Sequence, residues 1–370
     1  MNSPDTVVVA PAVWELVSGT DATGVPVFSV LVKRSYRIIE QMELCRCDET
    51  PPLRKIDEYY DGGDPMTAAI RYESDLVAWK SATDVVVVGK AYAPDGVSCT
   101  EMEVLVETGP VRKQLRIIGN RRCSHRMMLD PQISEPEPFY EMELRYELAY
   151  GGKDLISDPE QPFYYPRNQL GRGIAVKNKP ETIDELPMPN IEDPDDLLTP
   201  DRIILNKPEN WVDQPLPQGV GWYQKTWYPR SVFVGSVPGF MPIDTVTAEE
   251  EMGLVPRDHL KLARQFRLPA FDVRFNNGAS PGLAVEGLGG GDMLRIVNMS
   301  PGGMLKFSLP REEPAVAIDI GFGQTVPRPS LHTVCVRTED YEVDLIWRFA
   351  VPYPGHFWLP EMNRLQVEVE

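Results

Sequence analysis

The chain has 370 residues, with 37 lysine and arginine residues against 55 aspartate and glutamate residues, which gives a formal net charge of −18. Nucleic-acid phosphates and anionic membrane surfaces are bound chiefly through Lys and Arg, so the composition argues against both as partners. Hydrophobic residues make up 42% of the chain, enough for a sizeable core, and the length predicts two domains or one domain with large insertions.

The N-terminal residues, the lengths of the apolar runs and the cysteines predict the cellular compartment of the protein. No basic region precedes the short apolar stretch at residues 7–13, so we expect no secretory signal there. No run approaches the ~18 apolar residues that span a membrane. The five cysteines are too scattered for a disulfide framework, and a reducing cytoplasm fits these observations.

Residues 1–130 are predicted to form an N-terminal antiparallel β unit. Residues 28–39 (FSVLVKRSYRII) indicate a long strand, and residues 84–93 (DVVVVGKAYA) a second one, in which the internal glycine suggests a bulge or a close backbone approach. Residues 101–107 and 111–119 alternate with period two around a Gly-Pro turn, which is typical of a meander. Residues 141–150 fit a strand or a short helix, and we favour the strand.

Residues 131–245 are predicted to form an ordered but irregular layer on the β units. Residues 131–242 contain 17 of the 36 prolines, too many for helices or central strands. A flexible linker is poor in large apolar groups. This region is instead rich in aromatic residues, which bury large areas. They are Phe163, Tyr164, Tyr165, Trp211, Trp222, Tyr223, Trp227 and Tyr228.

Residues 246–370 are predicted to begin with one or two short helices and to continue as a C-terminal antiparallel β unit. Thr247 and Glu250 have capping-box spacing, and a second helix is expected over residues 257–266. Six short apolar stretches follow, separated by turn residues. They lie at residues 283–288, 293–298, 304–309, 315–320, 333–337 and 343–349. The predicted fold class is therefore mostly β, with two sandwich-like or barrel-like units and an aromatic layer.

Catalytic motifs are not evident in the sequence. The glycine run at residues 287–291 precedes a strand, whereas a dinucleotide loop opens a helix. Four histidines, at positions 125, 259, 332 and 356, lie in separate segments, so a catalytic triad finds no local support. Glutamates between positions 135 and 147 could include an acid–base pair of the kind used by glycosidases, but a strand with one exposed glutamate face explains their spacing equally well.

Metal-binding patterns are also weak. Cys45 and Cys47, and likewise Cys123 and His125, are separated by one residue, whereas structural zinc sites use two. Residues 192–196 (EDPDD) offer oxygen ligands without the alternating pattern of a calcium hand. A solvated acidic turn is the simpler interpretation, and we predict no cofactor.

A series of motifs extends in order from about residue 26 to residue 350. They are DLVAWK (75–80), DVVVVGKAYAP (84–94), LRIIGNRR (115–122), PFYEMELRYELAYGG (138–152), NQLGRG (168–173), LPMPNIEDP (186–194), WYPR (227–230), PAFDVRFN (269–276), the stretch 286–309, and DLIWR (344–348). In these motifs and their order the chain resembles a bacterial family associated with type VI secretion that is catalogued as a domain of unknown function.

The resemblance implies a non-catalytic adaptor or chaperone. Such a protein would bind a secreted toxin (the effector) or its PAAR region and promote its loading on the VgrG spike. The alternative, from another class, is a carbohydrate-active or other hydrolase that uses a carboxylate pair in an aromatic-lined cleft. A cavity with two carboxyl groups about 5–10 Å apart would favour the hydrolase.

The motifs also supply the candidate site residues, most of them polar groups flanked by glycine, proline or aromatic residues. Buried hydrogen bonds and salt bridges that organise loops are the simpler interpretation, and partner contact is the alternative. The candidates are Lys80, Asp84, Arg121, Asn168, Arg172, Asn190, Asp193, Trp227 and Arg230.

Overall fold

A computed structural model describes residues 12–39, 43–234, 272–319, 323–352 and 366–369. The helices predicted within residues 247–266 lie outside the described residues. In the described part of the chain the only α-helix, α1, is the single turn Pro180–Ile183, and no helix is long and apolar enough to cross a membrane.

The described residues form 25 strands, most of them short. The first twelve are β1 (Val13–Thr20), β2 (Pro26–Ile38), β3 (Leu44–Arg46), β4 (Glu58–Tyr59), β5 (Ile70–Tyr72), β6 (Thr83–Val88), β7 (Lys90–Tyr92), β8 (Glu101–Thr108), β9 (Val111–Ile118), β10 (Cys123–Ser124), β11 (Gln132–Ile133) and β12 (Glu141–Glu143). The others are β13 (Tyr150–Gly151), β14 (Lys153–Asp154), β15 (Phe163–Tyr164), β16 (Arg172–Gly173), β17 (Ile191–Glu192), β18 (Ala284–Val285), β19 (Met293–Val297), β20 (Met304–Ser308), β21 (Val316–Asp319), β22 (Gln324–Thr325), β23 (Ser330–Arg337), β24 (Glu342–Pro352) and β25 (Gln366–Val369). The mostly β prediction is confirmed.

The largest sheet has seven strands in the order β1-β2-β24-β23-β6-β18, with β3 paired to the end of β2. Its long central strands, β2 and β24, pair antiparallel over eleven residue positions and are buried on both faces. The β23–β6 pair is parallel, in contrast to its neighbours. Burial on both faces explains why these strands have continuous apolar runs instead of alternating ones.

The second sheet has five strands in the order β17-β9-β8-β19-β20. The β8–β9 hairpin confirms the predicted meander, and Gly109 in its turn has φ +52°, a conformation that glycine adopts without strain. Smaller sheets surround the two large ones: one has three strands, β22-β21-β25, and five have two strands.

Both large sheets combine strands from the two ends of the chain. Strands β18, β23 and β24 pair in the sheet of β1, β2 and β6, while β19 pairs with β8 and β20 pairs with β19. The structure therefore differs from the expectation that residues 1–130 and 246–370 build two separate β units. The six predicted C-terminal strands exist, but their partners are distant in sequence, and local patterns carry no information about such pairing.

The proline-rich region forms the predicted irregular layer with its own buried core. Tyr165, Trp211 and Tyr228 are almost fully buried and pack edge to face, with ring centroids 6.2 and 5.5 Å apart in succession. Such packing adds directional contacts to the area that the rings bury. Over residues 141–150 the structure is mixed, because β12 is followed by a turn of 3-10 helix, Tyr146–Leu148.

Gly89, for which a bulge or a close backbone approach was predicted, separates β6 from β7 and lies against the side chain of Thr338. A Cβ atom at this position would lie 2.0 Å from the hydroxyl oxygen of Thr338, a residue with no exposed surface. Only glycine, which has no Cβ atom, therefore fits at this position without a steric clash. The absence of a side chain lets the chain turn out of the buried strand against Thr338.

We predict that Gly89→Ala lowers the free energy of unfolding by about 2 kcal/mol, because the added methyl group overlaps a buried side chain. Urea unfolding followed by tryptophan fluorescence measures the change. Gly302→Ala is the matched control, since a Cβ there meets no atom within 4 Å. Equal stability of the two variants would contradict the packing argument.

Candidate functional site

Lys80 and Asp84 form a buried ion pair at the start of β6. Lys80 Nζ lies 2.7 Å from Asp84 Oδ2 and 3.0 Å from the hydroxyl oxygen of Thr333. The Asp84 carboxylate also accepts hydrogen bonds of 2.9 Å from Asn277 Nδ2 and from the backbone N–H of Gly278. Because neither charge can be hydrated, these contacts replace water and tie the loop before β6 to residues 277–278.

Arg230 holds a carboxylate that the sequence did not single out, that of Glu73. Its Nη1 and Nη2 atoms donate to Glu73 Oε2 and Oε1 at 2.8 and 2.6 Å, a two-pronged contact between two almost fully buried side chains. Arg230 Nε also donates to the carbonyl of Phe275 at 2.8 Å. Burial alone would raise the pKa of Glu73, but the charge and hydrogen bonds of Arg230 outweigh it and hold the pKa below its ordinary value.

Asn168, Arg172 and Asn190 fix the path of the irregular layer. Asn168 Nδ2 donates to the carbonyl of Tyr146 at 2.8 Å. Arg172 Nη1 donates to Asn190 Oδ1 at 3.1 Å, and Asn190 Nδ2 donates to the carbonyl of Ile118 at 2.9 Å. These contacts satisfy buried backbone groups of a chain segment that has little regular secondary structure.

Arg121 contacts the acidic stretch at residues 192–196, to which Asp193 belongs. Arg121 Nη2 donates to Glu192 Oε1, and Glu192 Oε2 accepts the backbone N–H of Leu198 at 2.6 Å. Asp193 Oδ2 accepts a hydrogen bond of 3.2 Å from Gln218. Protein groups thus engage the carboxylates, and no group of three or more metal-ligating side chains was found in the part of the chain that the structure describes.

The nine predicted residues do not form one cluster, and none of them is exposed. Trp227, with 1% of its surface exposed, packs edge to face against Tyr146 and Tyr223 at centroid distances of 5.3 and 5.4 Å. Only Lys80 with Asp84, and Arg172 with Asn190, contact each other directly. Each group lies where it organises a loop.

Sequence reasoning missed a buried ion cluster in the large sheet. Lys33 Nζ lies 3.3 Å from Asp344 Oδ2 and 3.7 Å from Asp75 Oδ2, and Arg337 Nη1 also contacts Asp344. Burial would raise the pKa of Asp344, but Lys33 and Arg337 outweigh it and lower the pKa below its ordinary value. The signal was available: a lysine inside an apolar strand requires a buried counter-charge.

An open groove with a volume of about 600 Å³ lies on the irregular layer. Two of its lining residues, Met66 and Tyr164, are 65% and 42% exposed although both are large and apolar or aromatic. Aromatic rings and prolines dominate the lining. The lining residues are Met66, Gln161, Pro162, Phe163, Tyr164, Pro166, Gln169, Pro208, Glu209, Trp211, Thr226, Tyr228 and Ser231.

The groove combines aromatic rings with mainly neutral polar groups. Its polar groups are mostly neutral amides and hydroxyls, and Glu209 is the one carboxylate in the described lining. Neutral donors and acceptors between aromatic rings suit the backbone of a bound peptide. The sequence pointed to the aromatic residues but not to the groove, which forms from segments far apart in the chain.

The chain is thus a mostly β protein with buried ion pairs and an aromatic groove on an irregular layer. A family model described as an uncharacterized protein conserved in bacteria (DUF2169) matches residues 23–348, so the chain belongs to this family. No curated protein and no solved structure matches the chain.

We predict that Glu73→Gln lowers the free energy of unfolding at neutral pH by about 3–5 kcal/mol, because it leaves the Arg230 charge buried without a partner. Glu185→Gln is the matched control. It breaks an exposed pair with Arg122, and we expect a loss of about 0.5 kcal/mol or less. Urea unfolding measures both, and similar losses in the two variants would contradict a buried pair.

The same pair predicts a pH dependence. Because the folded-state pKa of Glu73 is lowered, its contribution is fully present above its ordinary pKa of 4.5 and is lost as the pH falls through the lower folded-state value. From about pH 5 to about pH 3, Glu73→Gln should therefore lose less stability than the unsubstituted chain. An identical loss in both proteins would show that Glu73 does not titrate in this way.

Proposed function

We propose that this protein is a non-catalytic adaptor that binds a type VI secretion effector, or the PAAR region of that effector, and promotes its loading on the VgrG spike. Membership in a bacterial family of uncharacterized proteins agrees with the sequence resemblance behind this proposal. The place of action would be the cytoplasm, before the spike is assembled.

The observation that supports the proposal most directly is the aromatic groove. A contiguous patch of exposed apolar side chains marks a surface that another molecule can cover. Phe163 and Tyr164 of β15 contribute to the lining, and the adjoining hairpin loop exposes Leu155 and Ile156 by 45% and 54%. We infer that the occupant is an extended segment of the effector, held by apolar side-chain contacts and by backbone hydrogen bonds.

Charge supports a protein partner with a basic surface. The net charge of −18 attracts positively charged molecules over distances of about one Debye length, ~8 Å at physiological salt. Because the groove lining itself is nearly neutral, charge would accelerate encounter and the groove would supply contact. Binding should then weaken moderately, not vanish, as salt is raised.

The rival hydrolase receives less support from the groove. A glycosidase uses two carboxyl groups about 5–10 Å apart on either side of the scissile bond. In the described lining of the groove Glu209 has no carboxylate partner. The adaptor is therefore the function that we put forward for testing.

Co-purification from the native host tests the adaptor function. We expect the tagged full-length protein to elute with one effector and with the spike protein, and deletion of its gene to block export of that effector. If neither partner elutes and export is intact, the adaptor function is wrong.

A groove variant tests where the effector binds. We predict that Tyr164→Asp weakens binding of the identified effector by about tenfold, because it places a charge among apolar contacts. Val97→Asp is the matched control, since Val97 is 66% exposed and lies outside the groove lining. Titration of the purified effector measures both, with circular dichroism as a folding check. Equal affinity of both variants would place the contact surface elsewhere.

A further inference from the structure

A second cavity, with a volume of about 390 Å³, opens between the loop before β6 and the start of β23. Its polar character distinguishes it from the aromatic groove. The lining includes Trp79, Lys80 and Ser330, together with Arg348 of β24 and the exposed Glu313 at the rim. It shares no lining residue with the groove.

Arg348 is a buried cation without a carboxylate partner. Only 7% of its surface is exposed, and no acidic side chain among the described residues lies within salt-bridge distance. Its guanidinium group donates to the carbonyl of Lys80 at 3.0 Å and to the hydroxyl of Ser330 at 3.3 Å. A guanidinium has five N–H donors, so about three remain unused.

Two other buried arginines are neutralised by carboxylates. Arg230, 4% exposed, is paired with Glu73, and Arg337, 8% exposed, is paired with Asp344. The desolvation penalty of these two guanidinium groups is offset, because the paired carboxylate replaces the water that each group loses on burial. For Arg348, burial without such a partner lowers the pKa to about 10, which still leaves the group charged at neutral pH.

The other basic groups at the cavity do not add free positive charge. Lys80 is neutralised by Asp84 at 2.7 Å. Burial, together with the nearby charges of Lys80 and Arg348, holds the pKa of His332 well below its ordinary value, so the imidazole is neutral. Arg348 is therefore the one cation in the described lining that has no carboxylate within salt-bridge distance among the described residues.

The geometry of the Arg348 guanidinium group limits which kinds of ligand the cavity can bind. Its central carbon lies 3.8 Å from the ring centroid of Trp79, so one face is covered by an aromatic ring. A stacked guanidinium offers its N–H edge, which matches the two oxygens of a planar carboxylate. A dianion such as phosphate is disfavoured, because Arg348 offers it a single positive charge and Glu313 of the lining would repel it.

We propose that this cavity binds a carboxylate group, with Arg348 and Ser330 as its hydrogen-bonding partners. The carboxylate belongs either to a small organic acid or to the C-terminus of a peptide; the recognition chemistry is the same. This site is independent of the adaptor function, since it lies apart from the groove and its ligand is defined by charge.

Titration of the full-length protein with sodium acetate at constant ionic strength tests the site, with sodium chloride as the reference. Binding is measured from two-dimensional NMR shifts of tryptophan indole and arginine N–H signals. Arg348→Lys should weaken acetate binding by about tenfold, because it keeps the charge but removes the paired donors. A second set of variants changes exposed residues at or near the rim, so that this part of the test does not require substitution of a buried residue.

Glu313→Gln should strengthen acetate binding by about threefold, because it removes a negative charge at the rim of the cavity. Glu312→Gln is its matched control, with the same change of net charge at a neighbouring residue that pairs with Arg34 and does not line the cavity. We expect no change in acetate affinity for that control. Equal effects of the two rim variants would overturn the site.

Different probes distinguish a small organic acid from a peptide C-terminus as the source of the carboxylate. A short peptide with a free C-terminus should bind, and its C-terminal amide should not, if the site accepts peptide ends. Binding of acetate alone would assign the cavity to small organic acids. Failure of acetate to bind, or equal affinity in Arg348→Lys, would overturn the proposal, and neither result bears on whether an effector binds the groove.

Discussion

The ion pair between Lys33 and Asp344 joins the two ends of the chain at the centre of the largest sheet. Both side chains are at most 1% exposed, and each alone would cost several kcal/mol to bury. In the observed register Ser35 lies opposite Asp344 and donates a 2.6 Å hydrogen bond to it. A slip of one residue would turn these charges to the opposite face. These contacts fix the pairing of β2 with β24. Strand β23 pairs with the other edge of β24, and β6 pairs with β23.

Much of the local structure could be predicted from the sequence, and the sheet topology could not. Periodicity located β2, the β8–β9 hairpin and the C-terminal strands, and the requirement for space at Gly89 followed from a glycine inside an apolar run. The parallel pairing of β23 with β6 joins residues about 250 positions apart. No local pattern encodes which strand lies beside another, so two β units were expected where two interleaved sheets exist. Residues 141–150 were ambiguous because a three-residue strand and a 3-10 turn share them.

The candidate site was predictable only in part, and for a comparable reason. Polar residues within glycine- and proline-rich motifs indicated loops that need internal hydrogen bonds, and Asn168, Asn190 and Arg230 make such bonds. Their partners were not evident, because Glu73 lies 157 positions from Arg230. The groove depends on three-dimensional assembly. Met66 and Phe163 both line it, although no pattern in the sequence between them predicts that they lie close together.

The distribution of charge separates the scaffold from the surfaces that can bind other molecules. Gly278 lies between two buried ion pairs: its N–H donates to Asp84, and an added Cβ would lie 2.1 Å from Glu73 Oε2. Substitutions in that network change the scaffold first, so they report on stability and only indirectly on recognition. The groove, by contrast, includes exposed side chains, such as Met66 and Tyr164, that can change without loss of the fold. Arg348 belongs to neither group, because it is buried like the scaffold charges but no carboxylate among the described residues lies within salt-bridge distance of it. An incoming carboxylate would supply at this one position what the chain itself supplies to Arg230 and Arg337.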